Sequence, residues 1–238
     1  MDSRLGEIMA VLLDGRFAPL THSIAFLNTP PRKLARALVS FFNRVHNGGK
    51  ATRLHGTLSE NLMQLQPLVI GSRPRILLTS TTTEEWTAMF DGHALGQGVD
   101  DIASYMAEIL KIRGYGFANF PPAASTGKAL GGRQFHMLGP EERLGLVRTI
   151  DLIENNPGRW HFETSGTPQP YEDLKAYTKR RKTERFTEDM LVNYAAAVGL
   201  HPWDETFYHN PSYLITNNEP IINSATLAEA RTRLGLNT

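Results

Sequence analysis

His136, His161 and Glu163 are the side chains best suited to acid–base chemistry, because an imidazole that titrates near neutrality beside a carboxylate can take up and return a proton. Asp151 and Glu154 stand near them in the chain. With Pro157-Gly158 at the centre of a tight turn, Ile153 faces Phe162, Asp151 faces Thr164 and Glu154 faces His161. Side chains alternate along a strand, so that register gathers Glu154, His161 and Glu163 on one face and sends Asp151 to the other.

A second group, His201, Asp204, Glu205 and His209, offers four metal-ligating side chains within nine positions. Its spacing is not that of a zinc site. Two histidines one helical turn apart share a face, whereas His201 and His209 are eight apart with Pro202 between them. The interleaved Trp203, Phe207 and Tyr208 read as an ordered loop packed on the body, so no metal and no cofactor is assigned.

The run from Ala123 to Gly132 contains Gly127-Lys128, the kind of pair that cradles phosphate. Pro122 stands where a phosphate loop needs its first glycine, and Ala129 replaces the metal-binding hydroxyl. The expectation is a mobile loop between strands, with Lys128 as a partner contact. A richer cationic group is Lys175, Lys179, Arg180, Arg181, Lys182 and Arg185. It is expected on a basic helix from Tyr171 to Arg185, partly balanced by i to i+3 and i+4 acidic neighbours such as Glu172.

Composition removes several classes. The chain of 238 residues has no cysteine, which excludes thiolate chemistry, disulfides and cysteine-held metals in this polypeptide. Its 25 basic and 24 acidic residues give no global field toward nucleic acid or anionic lipid. The apolar run Ile8 to Leu13 is too short for a signal segment and no stretch reaches membrane-spanning length, so a soluble, cytoplasmic protein is expected.

The elements that must position these side chains read as α+β, one domain over residues 1–238 with three parts. Residues 1–70 read as helical: Leu5, Ile8, Met9 and Leu12 recur at helical spacing, Leu34, Leu38, Phe41 and Val45 form a stripe after Thr29-Pro30, and Leu58 to Leu65 makes a shorter helix. Residues 75–165 carry about six strands in an antiparallel sheet, at 75–82, 86–90, 115–120, 134–138, 147–153 and 159–164. One helix sits among them, with Asp100 and Asp101 at its start and Ile102, Tyr105, Met106 and Ile109 on its apolar face. Residues 168–238 read as helical again, including a helix capped by Thr187 with Phe186 and Leu191 at staple positions. The expected fold is this sheet packed against N-terminal and C-terminal helices.

Because each contiguous catalytic signature fails, a soluble, non-catalytic protein-binding module is favoured, with Lys128, Lys179, Arg180, Arg181 and Lys182 as its contact residues. The alternative is a small-molecule enzyme whose site assembles from His136, His161, Glu163 and the glycine-rich loop. The expected partner is another protein. Nucleic acid is disfavoured because Tyr171 and Tyr177 alone make no stacking platform, and an open sheet edge allows a homodimer.

Overall fold

The computed structural model describes residues 10–46, 48–72, 74–142 and 145–236. In chain order its elements are β1 (Ser23–Asn28), α1 (Pro31–His46), β2 (Gly49–Leu54), α2 (Leu58–Met63), β3 (Arg75–Thr81), β4 (Trp86–Asp91), α3 (Val99–Leu110) and β5 (Gly114–Phe120). The single helical turn α4 (Ala123–Thr126) follows, then β6 (Gly132–Leu138), β7 (Leu146–Asn156), β8 (Arg159–Ser165), α5 (Glu188–Ala197), β9 (Tyr208–Asn217) and α6 (Leu227–Leu234). The strands form one antiparallel sheet in the order β2-β9-β3-β4-β1-β5-β6-β7-β8.

The sheet thus has nine strands among the described residues where about six were expected. The six are β3 to β8, and each of the terminal parts expected to be helical adds strands of its own. Ile24 and Phe26 of β1 enter one core and Ala25 and Leu27 the other, so burial on both faces erases the alternation that marks a strand. β2 is an edge strand with Lys50, Ala51, Thr52 and Arg53 all exposed, and carries no apolar signal. β9 contains Pro211, which argues against a strand, but Ser80 pairs with His209 and Thr79 with Ser212, so a bulge takes Asn210 and Pro211 out of the ladder with β3.

Two layers cover the sheet. On one face α1 buries Leu34, Leu38 and Phe42 and α3 buries Ile102, Ala103 and Met106 against Leu27, Ile76, Leu78 and Met89. Each buried leucine contributes roughly 1.5–3 kcal/mol. On the other face Leu62, Leu191, Tyr194 and Ala230, from α2, α5 and α6, pack on Phe26, Phe90, Phe117 and Phe135. α2 and α6 each begin with a capping box, Thr57 with Glu60 and Thr226 with Glu229. Among the described residues no helix is long and apolar enough to cross a membrane.

Two helical expectations need correction. Leu5, Ile8 and Met9 lie outside the described residues, and Leu12–Gly15 is a turn in which Leu13 and Asp14 take left-handed φ values of 54° and 53°. That conformation costs about 1–2 kcal/mol per non-glycine residue. The segment 166–186, expected to hold the basic helix, is an irregular strap with single 3-10 turns at Ala176–Thr178 and Lys182–Glu184. Its lysines and arginines favour a helix by propensity, but it has little apolar surface to bury as one, and its acidic and aromatic residues find partners on the sheet instead.

Candidate functional site

Along β6, Gln134 and His136 point to the α3 face, and Thr149 and Asp151 of β7 do the same. Gly116 of β5, His136, Thr149 and Ser165 of β8 form one cross-strand row, and Gln134, Asp151 and Glu163 the next. α3 starts above this patch. Gly98, with φ 100°, takes the cap position, which puts Asp100, expected at the helix start, in the first turn and over the sheet. There the His136 ring lies between two carboxylates, with Nδ1 2.8 Å from Asp100 Oδ2 and Nε2 3.0 Å from Asp151 Oδ1. The Gln134 amide also donates to Asp151, at 2.7 Å.

Burial opposes a charge on this imidazole, but the hydrogen bonds and charges of Asp100 and Asp151 outweigh it and push its pKa up to about 10. Burial likewise works to raise Asp151, and the His136 contact with the Gln134 and Thr149 hydrogen bonds overrides it to leave Asp151 below the usual carboxylate range. An imidazolium that donates from both nitrogens has no lone pair to accept a proton at neutral pH. In this arrangement it holds two carboxylates and ties the start of α3 to β6. Gly116 makes the arrangement fit, because a Cβ at that position would collide with the Asp100 carboxylate.

The structure places all three acid–base candidates on the same face. Asp151 joins them and Glu154 leaves, the reverse of the expected register. Pro157-Gly158 does form the turn, with Asn156 paired to Arg159, but a bulge between Glu154 and Asn156 shifts the ladder so that Ile153 faces His161, Asp151 faces Glu163 and Glu154 faces Trp160. One added residue flips every side chain beyond it. His161 and Glu163 are 3.2 Å apart and face solvent, at 50% and 71% exposure, so this pair is not desolvated as the His136 centre is.

Glu154 turns inward instead and is 2% exposed. It accepts N–H groups from Ala123 (2.8 Å), Gly131 (2.9 Å) and Gly158 (2.5 Å). Burial tends to raise its pKa, but these three donors hold it below the ordinary value. The glycine-rich loop is therefore tied at both ends to one carboxylate. Lys128 reaches from it to the Thr232 carbonyl at the end of α6, 3.0 Å away.

Three of the four candidate metal ligands are engaged elsewhere. His201 lies edge-on to the Phe207 ring at 5.4 Å, and Asp204 accepts from the Thr206 amide (2.9 Å) and hydroxyl (2.7 Å). The His209 ring nitrogens stand 2.6 Å from the Thr81 carbonyl and 2.7 Å from that of Asn210. Among the described residues no three His, Asp or Glu side chains are placed to hold a metal ion.

Lys179, Arg180, Arg181 and Lys182 are exposed on the strap, and only Arg181 has an ion-pair partner among the described residues, Glu184 at 3.2 Å. What fixes the strap is a buried network that the sequence reading missed. Arg148 of β7 donates from Nε to Glu172 Oε1 (3.0 Å) and from Nη2 to Oε2 (2.5 Å), and its Nη1 reaches the carbonyls of Ser165 and Gly166. The two side chains are 2% and 0% exposed. The Tyr177 hydroxyl donates to Glu172 at 3.0 Å and lies 3.2 Å from that of Tyr194, which accepts the Asp173 N–H. A signal for it existed: Arg148 shares its strand phase with Ile150 and Leu152, so an arginine facing the core requires a buried acid. Comparison with protein-family models, curated proteins and solved structures finds no match to this chain.

Proposed function

We propose that this chain is a non-catalytic, cytoplasmic protein-binding module that engages an acidic protein partner through the 166–186 strap. The observation that carries the reading is the way the strap is built. Irregular segments of this length are uncommon inside compact domains unless they serve a function. Here a fully buried ion pair holds the strap, Tyr177 packs on Phe162 with ring centroids 5.3 Å apart, and Arg185 lies over the same ring at 5.8 Å. The backbone is thus pre-organised beneath four consecutive exposed cations, which lowers the entropy lost on binding. The chain as a whole is nearly neutral, so attraction of an acidic surface must come from local groups of cations such as this one.

The state of the acid–base candidates agrees with a binding role. His136 is held as a cation and His161 with Glu163 is solvent-exposed, so neither pair presents a desolvated base. Affinity capture from lysate with the wild-type chain and with a variant carrying Lys179→Ala, Arg180→Ala, Arg181→Ala and Lys182→Ala tests the proposal. A stoichiometric acidic partner that is lost in the variant and released by moderate salt is expected. Equal capture by both chains overturns the role of the strap.

A further inference from the structure

Away from the His136 centre and the strap, a cavity of about 400 Å³ opens between the left-handed Leu12–Gly15 turn, the end of β5, Arg133 of β6 and the C-terminal end of α6. Its volume falls within the range of roughly 300–1,000 Å³ typical of small-molecule sites. Arg231 supports one wall, donating from Nη1 to the Gly15 carbonyl (2.5 Å) and from Nη2 to that of Leu236 (2.8 Å). Those partners are neutral, so the guanidinium charge has no carboxylate within ion-pair distance among the described residues.

Two further polar groups line the same cavity. Arg133 Nε and His22 Nδ1 are buried and have no hydrogen-bond partner among the described residues. Arg133 Nη1 donates to the Phe186 carbonyl at 3.5 Å, the limit of a hydrogen bond. Two buried groups left unsatisfied in one cavity are costly in a protein alone and are what an entering ligand would satisfy. Glu188 accepts the Ala10 N–H and, with Asp189, offsets the charge of Arg133, while Asp14 is exposed to solvent, so the uncompensated charge at the cavity is that of Arg231. Phe120, Pro122 and Leu236 supply an apolar wall, with Phe120 edge-on to His22 at 5.4 Å.

We propose that this cavity binds a small organic monocarboxylate, its carboxylate accepting from Arg133 Nε and His22 Nδ1 and its apolar body lying against Phe120. This would be a ligand site distinct from the exposed cations of the strap, whose end reaches it at the Phe186 carbonyl beside Arg133. Burial and the charge of Arg231 lower the His22 pKa to about 4, so the ring is neutral at the cavity wall. A carboxylate placed there reverses the local field and raises that value.

The test is a histidine-detected NMR titration of the full chain with benzoate and, as an uncharged control of similar shape, benzamide. Saturable benzoate shifts at His22, a rise in its titration midpoint of about one unit or more, and at least a tenfold loss of affinity in Arg133→Gln support the site. Arg133→Lys, which keeps the charge without the Nε donor, is expected to bind with intermediate affinity. Absence of a saturable benzoate response up to about 10 mM, equal binding of benzamide, or unchanged affinity in Arg133→Gln overturns it.

Discussion

Arg148 and Glu172 meet as a bidentate ion pair with neither side chain more than 2% exposed, joining a core-facing position of β7 to the irregular strap that follows β8. Two backbone carbonyls and the Tyr177 hydroxyl complete their hydrogen bonds. A buried pair is stabilising against loss of one partner even where it adds little over an apolar pair. Glu172→Gln leaves Arg148 buried without its counter-charge and is expected to cost about 3–5 kcal/mol in urea unfolding. It is also expected to release the strap to limited proteolysis near Lys179–Lys182, at concentrations where the wild type resists. An unchanged cleavage pattern would contradict the anchoring role.

His136 makes stability fall on the alkaline side. Its pKa rises from 6.5 in the unfolded chain to about 10 in the folded one, so its contribution is fully present below pH 6.5 and is lost as the pH climbs toward 10. Asp151 is lowered from 3.8, so its contribution is present above that value and is lost as the pH falls through the folded-state pKa. Unfolding measured from pH 6 to 10 is expected to show a progressive loss that His136→Gln removes.

Gly116→Ala separates the clamp from the rest of the fold. The added methyl displaces the Asp100 carboxylate from above β5, at an overpacking cost of about 1–3 kcal/mol. The His136 titration midpoint, followed by NMR, is expected to drop toward the ordinary histidine range, because one of its two carboxylates has moved.

Glu154→Gln keeps the shape of the side chain but replaces one acceptor oxygen by a donor facing a backbone N–H. A loss of about 1–3 kcal/mol is expected, together with faster amide exchange at Ala123, Gly131 and Gly158, the three donors it now holds.

The strands legible in the sequence are those with a visible local pattern, β3 to β8. β1 is hidden by burial on both faces, β2 by its polar edge composition and β9 by a proline that a bulge accommodates. His136 stands out as a titratable residue on a strand, yet its partners come from elements that only tertiary packing brings together. Asp100 reads as part of a helix start, and Asp151 reaches the right face through a bulge beyond Glu154 that no local pattern announces. The strap fails as a helix for a related reason: Glu172 and Tyr177 satisfy their polar groups against Arg148 and Tyr194, contacts that lie 24 and 17 residues away.

The most direct test of the central claim is titration calorimetry of an oligo-glutamate peptide against the wild-type chain and the variant with alanine at positions 179 to 182, at about 50 and 200 mM salt. The wild type is expected to bind at least about tenfold more tightly than the variant at low salt, with the difference shrinking as salt screens the charges. Equal affinities for the two chains at both salt concentrations would contradict an acidic-partner role for the strap.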